Sequence, residues 1–446
     1  MKMKTRGFSL IELMVAMVIG VIVLLGLVSL FNNSSVLNRA QTGLSLLQEN
    51  GRYAISRLKE DIELAGKKHC STMTLPVEVI TNWNQGYEMN TWSIDRSVDF
   101  DNGLPAFNQI LLDDSDNDQL PDSVNYSTLF PNQSTYPLDP SYFIRGHECN
   151  NGACLPDFTE LGADFSTDFR STGTDDNSRA DNTDVLTVRY LTGGHRVTGL
   201  NIDPDPNISD SVTVAPEEVM DYTEGDALIG DCVNTYVSTA NWAANAVTFT
   251  GNTNLPYMSA KSDTRVYNMD EDFKTVSYFV GIDNDRNDSS RKISSLYRSE
   301  NGLVQQLVEG VERFDVFYLA QLQTGHVARL TADEVSSLAG GGDGDGDGRI
   351  DGTQGCIIQP VSKNLPSGIK LANGPGCLWR SIYAIEVHLL LNTVNDSSVE
   401  EDDRFIYAPD GLSPQSPQGG LASGLEGERM YRRAFTALVP IRSYTL

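Results

Sequence analysis

The hydrophobic pattern of this chain changes period twice. From Leu13 to Phe31 there are 19 residues without a charge, and none is charged between Glu12 and Arg39. A helix of that length crosses a hydrocarbon core of about 30 Å. Beyond it, apolar or small residues recur in steps of three and four at Leu37, Ala40, Leu44, Leu47, Gly51, Ala54, Leu58 and Ile62. Arg52, Arg57, Lys59 and Glu60 lie mostly off that stripe, as an amphipathic helix requires. No proline precedes Pro76, and Gly66 supplies a stop. The spacing predicts one helix from about Phe8 to Ala65, roughly 85–90 Å long. Residues 8–31 suit a membrane or a protein core, and residues 32–66 suit packing under a second domain. Gly20 and Gly26 are weak points where such a helix can bend or melt, although glycine in membrane helices often serves only close packing.

After residue 183 the period becomes two. Segments 184–191 (DVLTVRYL), 226–232 (DALIGDC), 246–250 (AVTFT), 275–282 (TVSYFVGI), 294–299 (SSLYRS), 303–319 (LVQQLVEGVERFDVFYL), 381–391 (SIYAIEVHLLL) and 431–441 (YRRAFTALVPI) read as strands. Residues 67–183 are rich in Asn, Asp, Pro and Ser and read as a loop-rich insertion with short strands. Residues 409–424 have the composition of a flexible loop. The fold class expected is α+β, a long N-terminal helix packed on a loop-rich, antiparallel β-sheet domain. At 446 residues the chain exceeds one compact core, so more than one sub-domain is expected.

Charge narrows the function classes. Asp and Glu number 60 against 33 Lys and Arg, for a net charge of −27. Loss of the first six residues, which carry Lys2, Lys4 and Arg6, would take this to −30. Such a surface repels phosphate backbones and argues against nucleic-acid binding. The six cysteines, Cys70, Cys149, Cys154, Cys232, Cys356 and Cys377, form no CxxC pair. An even number in an exported chain reads as disulfides, with 15 full pairings open. Short loops favour Cys149–Cys154 and Cys356–Cys377, which leaves Cys70–Cys232.

The basic residues before the apolar run should hold the N-terminus on the cytoplasmic side of a membrane. An ordinary signal peptide explains this poorly, because the run is long and no small-x-small cleavage pattern follows Phe31. A plain anchor leaves Glu12 unexplained, since a carboxylate in an apolar segment costs free energy unless it is paired. The stretch "RGFSLIELMVAMVIGVIVLLG" resembles a type IV prepilin leader. The resemblance implies cleavage by a prepilin peptidase between Gly7 and Phe8 and N-methylation of Phe8. Glu12 becomes the fifth residue of the mature chain. In a filament of packed helices its carboxylate needs a cation, and the α-amino group of a neighbour's Phe8 supplies one. The simpler alternative is a Glu12 that snorkels to the membrane interface.

The order of later segments is similar to that of the PilW class of minor pilins. The segments are "ISRLKEDIELAG" with Cys70, "DVLTVRY", "GDALIGDC", "VSYFVGID", "SSLYRS", "LVEGVERFDVFY", "WRSIYAIEVHLLL" and "RRAFTALVPIRS". The similarity covers the N-terminus and most of 184–446, and covers 71–180 weakly. In similar proteins the cysteine after the helix accompanies the one in "GDC", which agrees with Cys70–Cys232. The resemblance implies a type IV pilin-like fold and a role in pilus assembly initiation or the tip complex, hence in twitching motility and adhesion. The partners implied are other minor pilins, the major pilin, prepilin peptidase, the inner-membrane assembly platform and a large tip adhesin. The mature chain would move from the inner membrane to the pilus and cell surface. Alternatives are a pilus-presented, calcium-ordered adhesive module and a minor pseudopilin of type II secretion.

Two acidic loops carry candidate metal chemistry. Asp343, Asp345, Asp347 and Asp351 occupy positions 1, 3, 5 and 9 of an EF-hand-type calcium loop, with Gly348 at 6 and the Arg349 carbonyl at 7. Gln354 stands at position 12 in place of the bidentate Glu. Asp114, Asp116, Asp118 and Asp122 repeat the pattern, with Leu120 at position 7 and Gln119 replacing the turn glycine. The competing reading of "GGGDGDGDG", an insertion near 340–354, is a solvated acidic linker. Asp283–Asp288 and Asp203–Asn207 read as turns. Five histidines (His69, His147, His195, His326 and His388) form no HExxH or close pair. His147 with Glu148, Cys149 and Cys154 would make a zinc site only if those cysteines were reduced. No Walker loop, dinucleotide-binding GxGxxG turn or GxSxG occurs, and no enzyme activity is expected.

Overall fold

The computed structural model describes residues 9–67, 91–94, 109–111, 123–125, 135–136, 143–150, 152–158, 169–202, 209–215, 223–230, 234–250, 264–286, 291–322, 326–337, 377–395, 407–409 and 430–442.

One helix, Leu10–Leu64, runs unbroken through Gly20 and Gly26. Its 55 residues span about 82 Å. It stops where expected. Gly66 adopts φ +73°, the left-handed region that suits glycine. The Gly66 amide leaves the helix, however, and donates to Arg189 O at 2.8 Å. The buried face is Ala40, Gly43, Leu47, Gly51, Ala54, Leu58, Asp61 and Ile62. Two expected stripe members depart from it, since Leu37 is 60% exposed and Leu44 37%. Leu37 precedes Ala40, the first buried residue of the helix, and Leu44 lies beside the buried face formed by Gly43 and Leu47.

The helix packs on two antiparallel sheets. The first places Leu303–Glu309, Lys292–Glu300, Phe273–Asn284, Val185–Leu191, Ile144–Asn150 and Ala153–Leu155 side by side, with Ser178–Arg179 paired to 273–284. The second has the order Val327–Leu330, Val311–Gln321, Ile382–Asn392, Arg432–Pro440. A single core joins them to the helix. Leu47, Ala54, Leu58 and Ile62 meet Leu186, Val188, Val276, Tyr278, Ile385, Val387 and Val439. Each Leu, Ile or Val among them contributes about 1.5–3 kcal/mol on full burial. Phe435 lies against Gly51 so closely that a Cβ there would stand 2.3 Å from its ring.

The apolar segment 303–319 is two strands, not one. Gly310 (φ +84°) separates them and passes the chain from the first sheet to the second. Its N–H donates to Ser294 O and its carbonyl accepts from Asn392 N–H, both at 2.8 Å. The segment 67–183, read as an insertion, also contributes to the body, because Ile144–Asn150 pairs with Val185–Leu191 from Ile144↔Val188 to His147↔Val185.

A third sheet closes on itself. Glu224–Gly230, Arg265–Asn268, His195–Asn201, Ser211–Val214, Ala246–Phe249 and Asn234–Ala243 pair in that order, and 234–243 returns to 224–230. The ring is a six-stranded antiparallel barrel, to which Thr91–Ile94 adds in parallel and Thr135–Tyr136 beyond it. Val197, Val212, Val214, Ala227, Ile229, Ala240, Trp242, Val247, Phe249 and Val266 fill its interior.

Candidate assembly interface

The first half of the helix stands clear of the body. Leu10 is 75% exposed, Leu24 62%, Phe31 76%, and the most apolar stretch of the helix has no buried residue. A continuous apolar surface of this size is a contact surface for lipid or for other apolar helices. Its one acid, Glu12, lies in the first turn, where Oε2 accepts the Ser9 N–H at 3.0 Å. That bond satisfies an orphan amide and places negative charge at the positive end of the helix dipole. Gly7 and Phe8 lie outside the described residues.

The second half is fastened to the body by a buried acid that the apolar pattern does not reveal. Asp61 is 1% exposed, although an aspartate in a helix reads as solvent-facing. It follows Leu58 by three residues and so falls on the buried face. Arg298 donates to it through Nε at 2.7 Å and Nη2 at 3.2 Å. The Tyr190 hydroxyl donates at 2.6 Å, the Tyr278 hydroxyl donates to Oδ2, and Arg57 Nη2 stands 3.9 Å away. Burial and then the Asp61 hydrogen bond push the Tyr190 hydroxyl above its ordinary range. For Arg298, burial works against the charge, but bonding and attraction from Asp61 overcome it and raise the pKa. The helix is thereby joined to three neighbouring strands, 185–191, 273–284 and 292–300, by one fully bonded carboxylate.

Cys149 and Cys154 form a disulfide across the hairpin 144–150/153–155. Both sulfurs are therefore spent, and zinc has no thiolate there. His147 beside them is fully buried, with Nδ1–H donating to Pro156 O at 2.7 Å and its ring against Phe158 at 4.6 Å. Burial pushes its imidazole down to about 3; the Pro156 bond opposes this, and Arg145, Arg179 and Arg189 add to it. Cys70, Cys232 and Cys356 lie outside the described residues, and of Cys377 only the backbone is described, at the start of a 3-10 turn.

Both acidic loops, with Asp343, Asp345, Asp347, Arg349 and Asp351 and with Asp114, Asp116, Asp118, Leu120 and Asp122, lie outside the described residues. The turn at 283–286 is described, and its acids are engaged. Asp283 takes Arg170 Nη1 at 3.0 and 3.1 Å and the Tyr297 hydroxyl, and Asp285 takes Arg291 at 3.2 Å. His388 lies 2.7 Å from Glu386 and 3.2 Å from Thr436 Oγ1, under an Arg329 that stacks on Phe317 at 3.5 Å. The order hydroxyl–imidazole–carboxylate resembles a nucleophilic triad. It lies mid-strand, where the neighbouring amides are consumed by the ladders 311–321/382–392/432–440, leaving little to hold an oxyanion.

The prokaryotic N-terminal methylation motif matches residues 2–28. No curated protein and no solved structure matches the chain. The matched leader, the exposed apolar helix and the mostly antiparallel sheets beneath its second half together support a type IV pilin or pseudopilin, anchored in a membrane and processed by a prepilin peptidase.

Proposed function

We propose that this chain is a minor pilin of a type IV pilus, of the PilW class, acting where assembly begins or at the pilus tip. Prepilin peptidase cuts between Gly7 and Phe8, Phe8 is N-methylated, and the helix passes from the inner membrane into the filament core. There Glu12 exchanges its bond to Ser9 for the α-amino group of a neighbour's Phe8. The observation that carries the reading is the leader motif at 2–28 on a helix whose apolar half is exposed and whose other half is locked into a large body. Other minor pilins, the major pilin, the assembly platform and a tip adhesin are its partners, and no catalysis is assigned to it.

Deletion of the gene, with surface pili counted by electron microscopy and twitching scored, tests this. Loss of pili is expected, and Glu12→Ala should reproduce it with the β body still folded. Normal piliation in the Glu12 variant would sink the role given to that residue. Loss of a secreted substrate with pili intact would move the chain to type II secretion instead.

The spacing of the two acidic loops favours a second property, a calcium-ordered surface that contacts ligands directly. Extracellular calcium near millimolar fills even weak loops of this type. Removing calcium should increase protease cleavage near 343–351 and 114–122, and Asp345→Ala should abolish the calcium effect at the first loop. Equal cleavage with and without calcium would leave both as solvated linkers. A soluble form for binding work should begin near Asn38, because a chain cut at residue 67 loses Leu47, Ala54, Leu58, Asp61 and Ile62 from the core.

A further inference from the structure

The six strands of the barrel ring lie within residues 192–272, which leave and return between two paired strands of the body, with Leu191 opposite Phe273. The junction is tied on both sides. Thr192 N–H donates to Asp272 O at 2.9 Å, Arg265 Nη1 donates to Gly194 O at 2.8 Å, and Asp272 Oδ2 accepts the Asn268 N–H at 3.0 Å. Asn268 Oδ1 in turn accepts Asp270 N–H at 3.0 Å and Glu271 N–H at 3.3 Å.

Two routes join this junction to the last turns of the long helix. The first is main chain. Lys67 O accepts Leu191 N–H at 2.7 Å, one residue before Thr192. The second runs through side chains and starts at Asp61. Arg298 holds Asp61 through Nε and Nη2 and gives its remaining nitrogen, Nη1, to Glu300. Glu300 Oε1 lies 2.9 Å from Lys274 Nζ, in the strand that leaves the junction. Burial opposes the charge of Glu300, but its bonds to Lys274 and Arg298 overcome this and lower its pKa. The next residue returns to the junction. Asn301 (φ +47°) stands with Gly302 (φ +81°) in the turn between Lys292–Glu300 and Leu303–Glu309. Its Oδ1 accepts Thr275 N–H at 2.8 Å, and its Nδ2 donates to Phe273 O at 3.0 Å and to Asp270 O at 3.4 Å. One carboxamide thus ties 270–275 to the turn that follows Glu300.

Contiguous hydrogen-bonded groups of this kind carry coupling between sites and open as local units. We propose that the helix end, residues 58–67, and the barrel junction, residues 191–194 and 268–275, form one cooperative unit, so that unseating the helix from the body loosens the barrel at its junction. A contact that shifts the helix then reaches the barrel. The coupling follows from these contacts alone, apart from the pilin reading.

Hydrogen exchange of the full chain in detergent micelles tests this, read by mass spectrometry over 58–67, 191–194 and 268–275, with 311–321 as the reference. Two variants perturb opposite ends. Asp61→Asn weakens the Arg298 bond at the helix. Asn301→Gly removes the carboxamide and keeps a residue suited to positive φ. Coupling is reciprocal. Asp61→Asn is expected to speed exchange at 268–275, and Asn301→Gly to speed it at 58–67, each by about two- to thirtyfold with the reference unchanged. A change confined to the end that carries the substitution, in either variant, would overturn the proposal. An equal rise at 311–321 would also overturn it, because the loss would then be global. If Asp61→Asn fails to accumulate, the effect of Asn301→Gly on the helix decides alone.

Discussion

At the scale of residues, this chain keeps several ionisable groups out of water, and each has a stated partner or a stated penalty. His147 is the clearest case for pH. Its folded pKa, about 3, lies well below the ordinary imidazole value of 6.5. A depressed folded pKa means that stability is fully present above about pH 6.5 and is lost as pH falls toward 3, because the unfolded chain takes up the proton first. The slope from this one group reaches about 1.4 kcal/mol per pH unit. Denaturant melts between pH 7 and pH 4 should show that loss, and His147→Gln, which cannot protonate, should flatten it. An acid limb unchanged in the variant would assign the loss to other groups. Nothing in the sequence around His147 announces its burial. Its neighbours Arg145 and Glu148 are charged, and burial comes from strand pairing with 185–191 and from Phe158 above it.

At the scale of elements, the helix was legible almost to the residue, because the 3.6 period, the lack of proline and the terminal Gly66 agree. The strands flanking the core were legible for a similar reason. Segment 275–282 is a run of β-branched and aromatic residues buried on both faces, and 381–391 is mostly buried, with Tyr383, Glu386 and His388 half-buried. The barrel strands were harder to read. Asn234–Ala243 turns small residues inward at Ser238 and Ala240 before Trp242, and His195–Asn201 contains Gly199 and only Val197 fully buried, so hydrophobic alternation is faint. Closure was not legible at all, because it depends on 234–243 pairing with 224–230 on one edge and with 246–249 on the other. The acid that locks the helix was hidden by its own chemistry. Removing one partner of a buried, hydrogen-bonded ion pair costs about 3–5 kcal/mol. Asp61→Ala should therefore lose that much in urea unfolding of the chain begun near Asn38. Asp61→Leu combined with Arg298→Met should recover most of it, since the uncompensated charge is gone. A loss below 1 kcal/mol for Asp61→Ala, within the range of an exposed ion pair, would show that the lock is not buried in solution.

At the scale of the whole molecule, the described residues fall into three parts. An exposed apolar rod suits membrane and filament core, a two-sheet body packs on the second half of that rod, and a closed barrel is inserted between two neighbouring strands of the body. The rod and its leader account for insertion, processing and assembly. The account depends first on the leader being what its motif says. The direct measurement is mass spectrometry of the chain's own N-terminus, recovered from sheared surface filaments. The account predicts a chain that begins at Phe8 with one added methyl group on its amine. A chain that begins at Met1, or one cut beyond Phe31, would contradict it.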